Sequence, residues 1–343
     1  MVKFLEMTSL HFHEAILWTT LPKEKVQCNA CAHRCIISSG SYGLCGTRKN
    51  INGKLFSNVY EYPVAIQADP IEKKPLFHFL PGSRAMSIGT IGCNFKCRFC
   101  QNYDISQKRG DEITGRHLSI EALLEQAQNS QCQSIAYTYN EPVVFLEYVC
   151  DTAVAAHQRG LKNVYISNGY ETEETLQHLT GKIDAMNIDL KAFSETFYHR
   201  QCKAKLAPVL ETIKRAFELG IWVEVTSLII PGENNSEKEI RQMAAFIASV
   251  SKDIPWHLSR FFPTYQMTHK PATPVWQLEK ARRIGHEEGL NYVYVGNVSQ
   301  EQNTTFCPGC NQPLISRNIY NLTLNRLTNG HCPSCGQPIP GIF

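Results

Sequence analysis

Cys93, Cys97 and Cys100 stand in the stretch Gly92-Cys93-Asn94-Phe95-Lys96-Cys97-Arg98-Phe99-Cys100, a Cys-x3-Cys-x2-Cys spacing. Soft thiolates set so close together suit an iron-sulfur cluster or zinc. A four-iron cubane tied to protein by only three thiolates keeps one iron open for a substrate or cofactor. That separates a reactive cluster from a four-thiolate electron carrier. Zinc on the same sulfurs would need a fourth ligand, for which His78 in Phe77-His78-Phe79 is a candidate. Zinc ligands, however, usually come as two separated pairs. The remaining reading, three buried packing cysteines, requires no fixed spacing.

Two more cysteine groups flank this one. Cys28, Cys31, Cys35 and Cys45 fall within eighteen residues, a set fit for tetrahedral zinc or an auxiliary iron-sulfur cluster, with His33 able to replace one thiolate. Near the other end, Cys307-Pro308-Gly309-Cys310 and Cys332-Pro333-Ser334-Cys335 are Cys-x2-Cys knuckles 21 residues apart. That is the spacing of a structural zinc ribbon, with rubredoxin-like iron as the chemical competitor. Cys132, Cys150 and Cys202 stand alone and read as core residues.

The elements that must position these groups follow from periodicity. Short β-prone runs at 85–90, 134–139, 163–167, 183–190, 222–230, 257–262 and 292–295 alternate with helical stretches at 119–128, 143–159, 172–179, 208–219, 237–250 and 275–288. Ser119 is suited to cap the first helix, and Gly160 and Gly220 to stop the second and fourth. Six or so β-α repeats with apolar strands argue for an α/β fold, a parallel sheet covered by helices. The count fits a partial (β/α)6 TIM-like barrel, while periodicity alone permits a doubly wound sheet. Either places ligands at the C-terminal ends of the strands. The expected organisation is an N-terminal metal-binding extension over 1–84, a core over 85–297 and a C-terminal zinc ribbon over 298–343. Residues 66–82, rich in proline and ending in Pro81-Gly82, read as a connector.

Several strand ends carry polar groups that packing does not need. Glu141 in Tyr139-Asn140-Glu141-Pro142 is placed to meet an amino group, or merely to start a helix. Ser167-Asn168-Gly169 suits a ribose or carboxylate and is also an ordinary turn. Asp189 and Lys191 share one side of an extended chain, as ligand contacts or a surface ion pair. His257, among apolar residues, fits a core histidine as well as a ligand. Their recurrence at successive strand ends is what turns them into one candidate pocket.

Across residues 85–297 the sequence resembles the activating enzymes of glycyl radical enzymes, such as that of pyruvate formate-lyase, within the radical S-adenosylmethionine (SAM) superfamily. Asn140-Glu141-Pro142 stands at that group's Gly-Gly-Glu-Pro, Ser167-Asn168-Gly169 at Thr-Asn-Gly, and Asp189-Leu190-Lys191 at Asp-x-Lys. Tyr139-Asn140 replaces the Gly-Gly pair, and Ile166 stands where an Asp is frequent. Over its whole length the chain is similar to the AmmeMemoRadiSam-system radical SAM enzymes, through Cys28-x2-Cys31-x3-Cys35, Lys74-Pro75-Leu76-Phe77-His78 and the closing Cys-Pro-x-Cys pair. The resemblance implies a [4Fe-4S] cluster on Cys93, Cys97 and Cys100. It further implies SAM bound by Glu141, Asn168, Asp189, Lys191 and His257 with Phe99, Asn140 and Ser167 beside them, and hydrogen abstraction by a 5'-deoxyadenosyl radical. An electron donor such as flavodoxin or ferredoxin and a protein or small-molecule substrate are the implied partners. RNA modification and a non-enzymatic electron carrier or metal scaffold are the alternatives.

Composition narrows the setting. Hydrophobic content of 43% with 19% charged residues describes a globular protein. A net charge of +3 gives no electrostatic case for nucleic acid or membrane. Residues 1–20 contain His11, His13 and Glu14, which interrupt any signal-peptide core, and no stretch approaches a membrane span. Eleven of 14 cysteines lie in the three groups, which favours thiols holding metals in the cytoplasm over disulfides.

Overall fold

The computed structural model describes residues 12–110, 115–298 and 302–343; most of the segment weighed as a signal peptide lies outside them. Six short strands come first: His13–Glu14 (β1), Trp18–Leu21 (β2), Lys25–Cys28 (β3), Ile36–Ile37 (β4), Arg48–Ile51 (β5) and Lys54–Ser57 (β6). They make two three-stranded sheets, ordered β2-β3-β4 and β1-β6-β5.

An eight-stranded sheet follows. Its strands are Ala65–Pro70 (β7), Arg84–Gly89 (β8), Ser134–Tyr137 (β9), Lys162–Ser167 (β10), Ala185–Asp189 (β11), Trp222–Ile229 (β12), Trp256–Arg260 (β13) and Val293–Gly296 (β14). They lie side by side in chain order, and every neighbouring pair from β8 to β14 is parallel. A doubly wound sheet would reverse its order at a switch point. The unbroken order instead gives a barrel wall wound one way, left open between β14 and β7, as a partial barrel requires.

Strand β7 corrects the connector reading of 66–82. It pairs antiparallel with β8 from Ala65↔Gly89 to Pro70↔Arg84. Proline at the last position of an edge strand costs no internal ladder bond, which is why the Asp69-Pro70 signal hides a strand.

Helices cover the sheet. They are Ile120–Asn129 (α2), Leu146–Gln158 (α3), Glu173–Leu179 (α4), Leu206–Glu218 (α6), Glu237–Val250 (α7) and Val275–Glu287 (α8), with two short turns, Tyr103–Ser106 (α1) and Glu195–Phe197 (α5). Side-chain oxygens of Ser119, Thr172 and Ser236 accept from the backbone N–H three residues on, satisfying donors that the helix leaves free. Helix α7 turns Ile240, Met243, Ala244 and Ile247 inward at helical spacing. No helix among the described residues is long and apolar enough to cross a membrane.

The tail forms an antiparallel sheet of Gln302–Phe306 (β15), Pro313–Asn318 (β16) and Asn321–Asn325 (β17). It is docked on the barrel through a buried cation. Arg317 reaches the Phe77 carbonyl, lies 4.4 Å over the Phe77 ring and sits 3.7 Å from Glu72.

Candidate functional site

The three-cysteine loop leaves the C-terminal end of β8. Two sets of bonds fix it. Asn140, just past β9, accepts from Thr90 N–H and donates to the Ile91 and Gly92 carbonyls at 3.2 and 2.8 Å. On the far side, Lys96 and Arg98 N–H donate to the carbonyls of Cys202 and Gln201 at 2.9 and 3.0 Å. Cys202 is thus more than a lone core residue, since its backbone helps to shape the loop.

A cavity of about 830 Å³ opens at the strand ends. Its wall includes Cys93, Cys97, Phe99 and Cys100 from the loop, Asn140 and Glu141 after β9, Ser167 and Asn168 at β10, Asp189 and Lys191 at β11, and His257 on β13. The three loop cysteines and the eight residues expected to contact SAM all meet there, whereas Gly169, Pro231, Gly232 and Asn234, at other strand ends, do not line it. The reason is topological: parallel strands of similar length end at one face, so residues at the tops of successive strands become neighbours.

The three loop sulfurs do not all come within 4.8 Å of one another. His78 cannot be their fourth ligand. Its Nδ1 lies 2.8 Å from the Pro340 carbonyl and its Nε2 2.7 Å from the Tyr294 hydroxyl. Burial, then the charge of Glu141, pushes the Cys93 thiol upward.

Glu141 is heavily committed. One oxygen accepts from Asn168 N–H at 2.7 Å, and the other contacts Val143 N–H at 3.3 Å and the Ser167 hydroxyl at 3.0 Å. That hydroxyl also lies 2.6 Å from Glu171. It has a single proton to share between the two carboxyls. Burial, then the neighbouring Glu171 charge, raises Glu141 well above the usual carboxylate range. The turn so braced needs Gly169, whose φ is +74° and where a Cβ would stand 2.7 Å from Ile188.

Asp189 and Lys191 form the ion pair expected from their spacing, at 2.7 Å. The Asn168 side chain donates to Asn94 at 2.7 Å, leaving Asn168 Oδ1 and Asn94 Nδ2 buried without partners.

Sequence reasoning missed Glu224. This fully buried carboxylate on β12 accepts from the N–H groups of Phe77 and His78 at 3.0 and 2.8 Å and from Trp222 Nε1 at 3.1 Å, and it pairs with His257 Nε2 at 2.6 Å. Burial alone would raise its pKa, yet His257 and the other donors bring it below the ordinary value. A glutamate alternating with valines in Trp222-Val223-Glu224-Val225 was the available signal. Lys74 and Tyr139 were also missed. Both line the cavity, and both bond Asp69, at 2.8 and 3.0 Å.

In the tail, the ligand atoms of Cys307, Cys310, Cys332 and Cys335 all lie within 4.8 Å of one another. The 307–335 and 310–332 sulfur pairs are each 3.6 Å apart. A tetrahedral zinc with Zn–S bonds of about 2.3 Å calls for edges of about 3.8 Å. The knuckles match in backbone: Asn311 N–H bonds the Cys307 carbonyl and Gly336 N–H the Cys332 carbonyl, both at 2.9 Å.

The sequence model of the radical SAM superfamily matches residues 87–247, from within β8 to within α7. An uncharacterized protein of Methanocaldococcus jannaschii is 44% identical over 330 residues, spanning 95% of this chain and 98% of its own length. A second protein of that organism, whose name assigns it to glycyl-radical enzyme activation, is 27% identical over 63% of this chain and 80% of its own. The benzylsuccinate synthase activating enzyme of Thauera aromatica is 22% identical over 39% of this chain and 43% of its own. Three thiols at the head of a sheet wound in one direction, inside the stretch that the superfamily model matches, have one consistent explanation: this chain belongs to the radical SAM superfamily.

Proposed function

We propose that this protein binds a [4Fe-4S] cluster through Cys93, Cys97 and Cys100 and cleaves SAM reductively in an activating-enzyme-like hydrogen abstraction. The observation that carries the reading is the shared cavity, which gathers the three thiols and all eight residues expected to contact SAM. The residues fit the groups. The thiols are spread more widely than a single ion accepts, no fourth thiolate belongs to the loop motif, and the orphaned Asn168 oxygen calls for a polar partner. When bound, the cluster and SAM supply one-electron cleavage of a sulfonium bond and a 5'-deoxyadenosyl radical that removes hydrogen from the substrate.

The chain's own groups bind, orient and shield. Lys191, neutralised in part by Asp189, is placed for a carboxylate, and Asp189 for hydroxyls. Glu224 fixes His257 through Nε2 and so leaves Nδ1 for a ligand. An ammonium set against Glu141 would favour the anionic form of that carboxyl. Phe99 and Phe77 exclude water from the wall they line.

The names of two relatives favour a protein backbone glycine as the hydrogen donor, ahead of other macromolecular or small-molecule C–H bonds. Flavodoxin or ferredoxin is the proposed electron source, the cytoplasm the proposed setting, and zinc the proposed metal of the tail. The division into an extension over 1–84, a core over 85–297 and a ribbon over 298–343 belongs to the same proposal.

The test is anaerobic. Protein reconstituted with iron and sulfide, reduced with dithionite and given SAM should yield 5'-deoxyadenosine, and Cys97→Ala should yield none. A fully loaded protein that fails to bind SAM would overturn the proposal.

A further inference from the structure

Cys28, Cys31, Cys35 and Cys45 line one small cavity of their own, together with Arg48, Asn94, Val143 and Val144. The two N-terminal sheets assemble it. Cys28 ends β3 and its N–H bonds the Cys35 carbonyl at 2.9 Å, just before β4, while Cys45 precedes β5. Four thiols round one space have three possible explanations: packing, a single ion or a cluster.

Packing alone leaves the cavity's donors unanswered. Arg48 and Asn94 are 2% and 3% exposed, and Arg48 Nε and Asn94 Nδ2 have no hydrogen-bond partner. Buried N–H groups seldom stay unpaired. The thiolates and bridging sulfides of a cluster are acceptors that could take them. Cys45 Sγ already accepts from the Thr47 hydroxyl at 3.3 Å. His33 also lines the cavity, but its Nε2 is engaged 2.9 Å from the Asn94 carbonyl.

The same molecule contains a scale for the single ion. In the tail four sulfurs gather within 4.8 Å, as one tetrahedral metal demands, but no three of Cys28, Cys31, Cys35 and Cys45 do so. A cubane interposes iron and sulfide between its thiolates and therefore spreads them. In this respect the N-terminal group resembles the loop group, not the tail.

From these observations we infer that Cys28, Cys31, Cys35 and Cys45 hold a second [4Fe-4S] cluster, closed by four thiolates and so without an open iron for SAM. It backs directly onto the first site. A Cβ at Gly92 would lie 2.6 Å from the Cys45 carbonyl, and Asn94, next to Cys93, forms part of the second cavity's wall.

The experiment counts metal and acid-labile sulfide per chain in anaerobically reconstituted full-length protein. About eight irons, about eight sulfides and about one zinc are expected. About four irons with two zincs, or about four with one, would overturn the inference. Two variants locate the clusters: Cys93→Ala/Cys97→Ala/Cys100→Ala should keep about four irons whose electron paramagnetic resonance signal ignores SAM, and Cys28→Ser/Cys31→Ser should keep about four whose signal responds. Iron lost entirely from the first variant would sink the second cluster. Iron lost entirely from the second variant but not the first would instead remove the SAM site proposed above, and the wild-type count decides if a variant does not fold.

Discussion

Glu224 brings an acidic group into the barrel wall and serves four donors there, so its replacement separates charge from shape. Glu224→Gln keeps the volume but weakens charge-assisted bonds from His257 and two backbone N–H groups. The expected loss is about 2 kcal/mol of stability, read from urea midpoints. His257→Ala should weaken SAM binding in equilibrium titration, which a purely packing histidine would not. Gly92→Ala tests a different limit. At φ +82° its new Cβ would meet Thr47 at 2.5 Å and the Cys45 carbonyl at 2.6 Å, and the loss expected in urea melts is about 2 kcal/mol or more. At this scale the sequence was informative wherever function follows position: residues at the tops of strands converge whatever the details of packing. It marked Glu224 only as a carboxylate among valines, without its partners, and it was silent on the Asn140 bonds to the cysteine loop. Nothing in a local window tells that a mid-strand carboxylate will meet partners 147, 146 and 33 residues away.

Among elements, the helices of the core were legible because each carries its own apolar stripe and several its own cap. Helix α7 spans the stretch expected from periodicity, Glu237–Val250. Strand β7 and the small N-terminal sheets were not. Strands of two to six residues have too few alternations to stand out, and their partners are set by tertiary contacts. The tail sheet has a small apolar core of its own, Cys307, Leu314, Ile315, Cys332 and Ile339, with Leu322 and Leu327 packed on it. Two of those five belong to the four-cysteine group for which zinc is proposed. Cys310→Ser should therefore lower bound zinc and open β15–β17 to protease while the eight-stranded sheet persists, an outcome read by mass spectrometry of limited digests.

For the molecule as a whole, acid should act first on the clamp between barrel and tail. Burial, only partly offset by the charge of Glu224, pulls His78 down to about 4 from an ordinary 6.5. The unfolded chain then binds a proton between those values that the folded chain refuses, so stability falls as pH drops from about 6.5 to about 4, by up to about 3 kcal/mol. His78→Gln should flatten that slope in urea melts between pH 4.5 and 7, while costing stability near neutrality through the lost bonds to Pro340 and Tyr294. A second buried tie runs to the other end of the chain. The Glu147 carboxylate on α3 accepts Arg48 Nη2 at 2.8 and 3.0 Å and Ile16 N–H at 2.8 Å. A protein trimmed to its eight-stranded sheet for convenience of expression would keep the glutamate and discard both partners. It would bare the back of the cysteine loop where Cys45 and Thr47 now press on Gly92, and the shortest version of the enzyme would be a poor guide to the natural one.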